Sequence, residues 1–224
     1  MNLKAKMPKN SIFFVSCLML KFKASLKENF KKSLIFFALT SLCACSLAPS
    51  PQLNPTSYLI KANETVILKN IKPSQKSIKI APIQAPLYLK SKDISYIKDN
   101  ELGAYTKHMW KQSPVNLVST MLTTKLEKNK LFKAVLNNNS QVVADFVLES
   151  RLDAFEQVFE GDKVYVYIAL SASLIKGKTL LNSRHFSYKI HLKAIEPDLA
   201  IAGFDEGLNL LADELISWLF SLER

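Results

Sequence analysis

The most reactive side chains of the chain are cysteines, and two of its three lie in Leu42-Cys43-Ala44-Cys45. This segment closes an apolar run that begins at Ser33 and follows a basic stretch at residues 27–32. A basic stretch, a short apolar run and small residues form the layout of a secretory signal peptide. A membrane-spanning helix needs about 20 apolar residues, so this run is too short to remain as a span. We therefore expect export, with a thiol beside the cleavage point.

The order Leu, two small positions and Cys resembles the lipobox of bacterial lipoproteins. In that motif the cysteine sulfur is diacylglycerylated and the chain is cut just before it. The resemblance implies that Cys45 is the lipidation site and the first mature residue; the alternative is an ordinary secretory signal with an incidental cysteine. Cys43 stands where Ala, Ser or Thr is usual, but Cys45 is the better acceptor because Ala44 precedes it, whereas the bulky Leu42 precedes Cys43.

A second apolar run at residues 11–20 precedes the signal. Initiation at Met19 would give a signal of 26 residues with five lysines before its apolar core, which is a conventional length. We expect residues 1–44 to be the signal peptide, with its true start at Met19. The alternative is a hairpin of two short apolar segments.

The charge of the chain is concentrated in the signal. Residues 1–44 hold eight of the 30 basic residues and one of the 19 acidic residues, which leaves 22 and 18 in the rest. No Lys/Arg cluster is interleaved with aromatic residues, so we expect no nucleic acid partner. All three cysteines (Cys17, Cys43 and Cys45) precede the domain, which must therefore be stable without disulfides.

The sequence offers little that could perform catalysis. The histidines His108, His185 and His191 have no ligand-like neighbours, and the last two share the polar face of one predicted strand. Five glycines include no phosphate-binding loop motif, and G-x-S-x-G is also absent. We therefore expect no enzymatic activity, no cofactor and no metal.

Residues 45–56 are predicted to form a lipidated, extended tether, because Pro49, Pro51 and Pro55 forbid a regular helix. At about 3 Å per residue this tether could hold the domain roughly 30 Å from the lipid. Ser46 is not the Asp that signals inner-membrane retention in enteric bacteria, so the resemblance implies the outer membrane. Residues 57–224 are predicted to form a single domain.

Alternating apolar residues predict the strands. We expect short strands at residues 58–61, 65–68 and 77–83, a loop or edge segment at 86–93, and a hairpin joining 94–97 to 101–105. Long antiparallel strands follow, with turns at Gly161 and Gly177. On the second of these, Tyr165 and Tyr167 face away from the apolar side.

Two amphipathic helices are predicted, at about residues 113–128 and 199–222. Ser113 as N-cap and Pro114 at the first position mark the start of the first helix. The fold class is therefore α/β (α+β), a mixed, largely antiparallel sheet covered by two main helices in a two-layer or three-layer sandwich.

Across residues 57–222 the order of segments resembles the ABC-type transport auxiliary lipoprotein family, the lipoprotein partners of MCE (mammalian cell entry) lipid transport systems. The likeness rests on the lipobox and proline-rich tether, the strand at 78–83, Pro86-Leu-Tyr-Leu89, Trp110 before the first helix, Ala144–Leu148 and the closing helix. The family often has Asp-Arg after the Tyr-Leu pair, where this chain has Lys90-Ser91. It also often has an acidic residue near the tryptophan, where this chain has Lys111-Gln112.

The resemblance implies a non-enzymatic subunit on the periplasmic face of the outer membrane, which contacts an MCE-domain protein and ABC transporter subunits. It is also compatible with a homo-oligomeric ring. The candidate partner-contact residues are Tyr88, Tyr96, Trp110, Tyr165 and Tyr167. Core packing is the alternative for Trp110, and plain exposure is the alternative for Tyr165 and Tyr167. The alternative function is a structural or regulatory lipoprotein that assembles another envelope machine, for cell-wall synthesis or secretion.

Overall fold

The computed structural model describes residues 54–63 and 74–223, and these contain eight strands and two helices. The strands are β1 (Thr56–Tyr58), β2 (Ser77–Ile80), β3 (Asp93–Lys98), β4 (Glu101–Trp110), β5 (Ala134–Leu136), β6 (Phe146–Glu160), β7 (Lys163–Lys176) and β8 (Thr179–His191). The helices are α1 (Pro114–Asn129) and α2 (Pro197–Glu223). The predicted signal, both lipobox cysteines and the predicted strand at 65–68 lie outside the described residues.

Strand β6 is the centre of the sheet. One edge pairs along almost its whole length with β7, which pairs in turn with β8. The other edge is shared by two strands in tandem: β2 lies beside Phe146–Leu148 and β3 beside Glu156–Phe159, both parallel to β6. Strand β5 extends the sheet beyond β2, and β4 and β1 extend it beyond β3.

The prediction of a mixed, largely antiparallel sheet is confirmed. The long pairings β3–β4, β6–β7 and β7–β8 are antiparallel, and four short pairings are parallel. The predicted hairpin at 94–105 is β3–β4, closed by Asp99 and Asn100, which both have positive φ. Asn and Asp tolerate this conformation better than other residues with a Cβ, which explains the two-residue turn.

Some boundaries differ from the prediction. The segment expected as a loop or edge at 86–93 contains a 3₁₀ turn, Leu87–Lys90, which buries Leu89 completely. The strand expected at 58–61 is instead β1, which ends at Tyr58. The strand expected at 77–83 ends at Ile80, and the chain then touches β6 again through Gln84 beside Arg151.

Helix α1 begins at Pro114 after Ser113, as predicted, but the Ser113 side chain makes no capping hydrogen bond. The Ser113 carbonyl accepts instead from the backbone N–H groups of Asn116 and Leu117. The helix ends at Asn129, and the next residue, Lys130, has a left-handed conformation that directs its N–H to the Glu127 carbonyl. Within residues 54–63 and 74–223, no helix has both the length and the apolarity of a transmembrane span.

Both helices share one continuous core with the sheet, so the described part is a two-layer sandwich. Helix α2 lies close to β7 and β8 because it carries glycines where the strands approach. A Cβ on Gly203 would lie 3.1 Å from Val166 Cγ2, and one on Gly207 would lie 3.1 Å from Ile168 Cδ1. The glycines therefore set the distance between helix and sheet.

A β-bulge lies between Leu152 and Ala154 in β6. Before it, the even-numbered residues of β6 point to the helices; after it, odd-numbered residues such as Phe155 do so. The bulge thereby turns Glu156 to the face opposite the helices, which we call the outer face.

Candidate functional site

The outer face of the β6–β7–β8 sheet collects three of the predicted contact residues. Register places Glu156 opposite Tyr167 and Tyr167 opposite Lys189, while Tyr165 lies opposite His191. Directly opposite residues share a face of the sheet. Tyr88, from the 3₁₀ turn, reaches the same face and donates its hydroxyl to Glu156 Oε2 at 3.4 Å. We call Tyr88, Glu156, Tyr165, Tyr167 and Lys189 the tyrosine patch.

Lys189 joins the two β7 tyrosines. Its Nζ lies 4.7 Å from the ring centroid of Tyr165 and 5.8 Å from that of Tyr167, within the range of cation–π attraction. The Tyr165 hydroxyl donates to Glu160 Oε2 at 3.2 Å. Tyr165 is consequently only 6% exposed although it faces outward, whereas Tyr167 is half-buried. The accessible aromatic surface of β7 is therefore that of Tyr167.

Glu156 is the buried acidic group of the patch, with 4% of its surface exposed. Its Oε2 accepts the backbone N–H of Phe155 at 2.5 Å as well as the Tyr88 hydroxyl. Burial raises the pKa of Glu156, because the ionised form loses hydration, although both hydrogen bonds act in the opposite direction. Burial and the Glu156 carboxylate raise the pKa of Tyr88 to about 12, so Tyr88 remains a hydrogen-bond donor.

Tyr96 and Trp110 do not join the patch. Tyr96 lies on the helix-side face, edge-on to Tyr105 and Phe159 at ring-centroid distances of 5.4 and 5.9 Å. Trp110 has no exposed surface and packs edge-on against Phe155 and other core rings. The structure therefore places Trp110 in the core, the alternative that the sequence left open, and its buried indole has no surface for a partner.

A polar network that sequence reasoning missed holds residues 58–63, which we call the strap, against both helices. The completely buried Lys125 of α1 donates to Asn63 Oδ1 and, at 2.6 Å, to Asp213 Oδ1 of α2. Asn209 accepts the Asn63 N–H at 2.9 Å and donates to the Lys61 carbonyl at 3.0 Å. The strap, which follows β1, is thus fixed by side chains of α1 and α2.

The start of the strap is held by a second contact set. The Tyr58 hydroxyl lies 3.0 Å from His108 Nδ1 and donates to Asp198 Oδ1 at 3.3 Å. Burial and the neighbouring Asp198 raise the pKa of Tyr58. His108, which has no ligand-like neighbours in the sequence, therefore helps to hold the start of the strap.

A serine, a histidine and an aspartate also meet on the outer face. Ser171 Oγ donates to Asp153 Oδ2 at 2.7 Å and lies 3.2 Å from His185 Nδ1, which is 3.6 Å from the same carboxylate oxygen. In a Ser-His-Asp triad, different imidazole nitrogens contact the hydroxyl and the carboxylate. Here one nitrogen faces both, and the hydroxyl donates directly to the acid, so this geometry does not activate Ser171 as a nucleophile.

The described ranges contain no group of three or more His, Cys, Asp or Glu side chains placed to hold a metal ion. His185 and His191 are both exposed on the outer face, as the alternation predicts. The pKa of Asp153 is lowered: burial raises it, but hydrogen bonds from Ser171 and Arg151 outweigh that effect.

Solved structures share this fold. Protein XCC0632 from Xanthomonas campestris superposes with a TM-score of 0.67 at 20% identity, covering 75% of this chain and 96% of that one. A second crystal structure, of an uncharacterized protein, gives a TM-score of 0.59 at 12% identity and covers 74% and 98% of the two chains. At these identities the similarity concerns the fold alone.

At the sequence level, the uncharacterized protein bll6063 of Bradyrhizobium diazoefficiens is 26% identical over 155 residues. The matched region is 67% of this chain and 42% of that protein, so the chain spans less than half the length of this relative. The model of a family described as ABC-type transport auxiliary lipoprotein component matches residues 58–216, from the strap into the second half of α2, and the chain belongs to that family.

Proposed function

We propose that the chain is a non-enzymatic docking subunit of an MCE-type lipid transport system, held at the periplasmic face of the outer membrane by acyl chains on Cys45. The observation that carries the proposal is the family match over residues 58–216, because members of this family are auxiliary lipoproteins of ABC-type transport. The proposal adds three statements to this family membership: the transported molecule is a lipid, the partner is an MCE-domain protein, and the membrane is the outer membrane.

The tyrosine patch is the surface that we assign to docking. It lies on the sheet face opposite α1 and α2, and Tyr167 combines an accessible ring with a neighbouring cation, Lys189. Tyrosine and other aromatic residues are enriched in protein interfaces, where a rigid ring contributes much apolar contact area. An accessible aromatic ring beside a cation suits a protein partner.

Strand β1 supports the proposed anchoring. A single acyl chain binds a membrane only marginally, so stable attachment requires the several chains of a bacterial lipoprotein. The predicted tether leads directly into β1, in which Thr56–Tyr58 pair with His108–Trp110 of β4. An anchor at Cys45 would therefore act on the domain at one defined place.

The anchor is tested by metabolic labelling with palmitate and by membrane fractionation of the full chain. We expect Cys45→Ser to abolish labelling and Cys43→Ser to retain it, with the labelled protein in the outer-membrane fraction. Labelling that survives in Cys45→Ser but disappears in Cys43→Ser would assign the lipid to Cys43 and contradict the proposed site. An unlabelled wild-type chain would contradict the anchor altogether.

The partner is tested by co-expression of the full chain with an MCE-domain protein and its ABC transporter subunits, followed by affinity purification. We expect the MCE-domain protein to co-purify with the wild-type chain. Its recovery should fall at least fivefold with Tyr167→Ala. Recovery should not change with Leu102→Ala, which truncates an exposed apolar residue of the β3–β4 hairpin. Recovery of a cell-wall synthase or a secretion component in place of the MCE protein would support the structural or regulatory alternative.

A further inference from the structure

Strand β8 is an outermost strand of the sheet. Its 13 residues, Thr179–His191, pair with β7 on one side, and no other strand of the described residues pairs with them on the other. All residues from Thr179 to His185 are exposed. The strand contains no proline, although proline is a common means of blocking a free edge.

The register identifies which backbone groups face that free edge. The Leu192 N–H donates to the Val164 carbonyl, and these residues are directly opposite in the β7–β8 ladder. In an antiparallel pair, hydrogen-bonded and non-hydrogen-bonded positions alternate. The even-numbered residues of β8 therefore bond to β7, and the backbone N–H and C=O groups of His185, Ser187, Lys189 and His191 point outward.

The charge of the β7–β8 hairpin is of one sign. From residue 163 to residue 195 the chain contains six Lys or Arg residues and no Asp or Glu. Arg184 is paired with Glu214 of α2, Asp153 lies beside His185, and Glu160 contacts Tyr165 from β6. Lys189, on the edge strand β8 itself, lies over the rings of Tyr165 and Tyr167 on β7.

We infer that the free edge of β8 accepts an added β-strand from a partner protein, an extended segment with acidic residues at alternate positions. An added strand would satisfy the outward backbone groups and place its acidic side chains beside Lys189 on the outer face. A second copy of this chain is the poorer occupant, because two β8 edges would bring the same basic side chains together. The inference goes beyond the proposed function, since it names the conformation and charge of the docking segment and does not depend on the transported molecule.

The test uses the full chain in detergent and a fluorescent 13-residue peptide of alternating Glu and Val, with the corresponding Lys–Val peptide as control. We expect the Glu–Val peptide to bind at least tenfold more tightly, as measured by fluorescence anisotropy. Hydrogen exchange should slow at the outward amides of His185, Ser187, Lys189 and His191. Equal binding of the two peptides, or no binding at millimolar concentration, would overturn the inference.

Ser187 provides a matched pair of variants. Ser187→Pro removes an outward N–H without removing a β7–β8 hydrogen bond, and proline is tolerated at such edge positions. We expect it to weaken peptide binding about tenfold, whereas Ser187→Ala stays within twofold of the wild type. Unchanged binding in a folded Ser187→Pro protein would contradict strand addition, and a wild-type dimer that Ser187→Pro dissociates would replace the acidic partner by a second copy.

A charge-reversed variant keeps the test independent of the folding of Ser187→Pro. Lys189→Glu should reverse the preference, so that the Lys–Val peptide binds more tightly than the Glu–Val peptide. A retained preference for Glu–Val would contradict the assigned role of Lys189. Neither readout involves acylation or the MCE protein, so failure here is distinguishable from failure of the proposed function.

Discussion

Lys125 Nζ and Asp213 Oδ1 lie 2.6 Å apart and join α1 to α2 at a point where the lysine side chain has no exposed surface and the aspartate side chain is 20% exposed. The cost of removing one partner depends on how deeply the other remains buried. Removing Asp213 and removing Lys125 should therefore cost different amounts of stability.

Asp213→Asn should destabilise the protein by about 3 kcal/mol, because it weakens the charge partner of a completely buried ammonium group. Lys125→Met should cost less, about 1–2 kcal/mol, because the remaining carboxylate keeps some contact with water and methionine fills similar volume. Urea unfolding of both variants and of the double variant measures the difference. A larger loss in Lys125→Met than in Asp213→Asn would contradict this account.

Glu156→Gln should become progressively more stable than the wild type as the pH rises. Burial raises the folded-state pKa of Glu156 above its ordinary value of 4.5, so ionisation costs stability in the folded protein. That cost is absent below pH 4.5 and develops as the pH rises through the raised pKa. Unfolding free energies between pH 4 and 8 measure it, with the exposed Glu149→Gln as control. A constant difference between Glu156→Gln and wild type over this range would contradict the raised pKa.

Gly103→Ala should destabilise the β3–β4 hairpin, because the added Cβ would clash with the ring of Tyr96. The ring must move and lose its contacts with Tyr105 and Phe159. We expect this loss to lower the free energy of unfolding by about 1–2 kcal/mol. In a Tyr96→Ala background the same glycine substitution should have little effect. Thermal unfolding of the four-member cycle measures the coupling, and additive effects would refute the predicted contact.

Tyr188→Phe should cost about 1 kcal/mol, because the Tyr188 hydroxyl donates to Glu214 Oε2 at 2.8 Å and so ties β8 to α2. Burial and Glu214 raise the pKa of Tyr188 to about 12, so the donor is present at neutral pH. Tyr167→Phe, on the outer face, serves as the matched control and should stay within about 0.5 kcal/mol of wild type. Equal stability of the two variants in chemical denaturation would exclude a contribution from this hydrogen bond.

Local patterns predict the elements of this fold well where the pattern is regular. The alternation of Val164, Val166 and Ile168 with Tyr165 and Tyr167 assigns both faces of β7 correctly. The bulge near Asp153, which turns Glu156 outward, interrupts the alternation by one residue and leaves no clear local signal. The sequence therefore predicts the patch tyrosines of β7 but not their acidic neighbour.

Long-range features are predicted less well. The parallel pairing of β2 and β3 with β6 depends on contacts between distant residues, for which local periodicity carries no information. For Lys125 a signal does exist: it occupies the apolar stripe of α1, at helical spacing from Val118, Met121 and Leu122, where a charge requires a partner. Which residues supply that partner follows only from the tertiary structure.

The tandem arrangement of β2 and β3 along one edge of β6 has a consequence for how the domain unfolds. The part of the sheet that contains β2 and the part that contains β3 both pair with β6, so both lose these backbone hydrogen bonds when β6 unfolds. Loss of structure should therefore spread across residues 74–223 in one cooperative step, with the same midpoint for every spectroscopic probe.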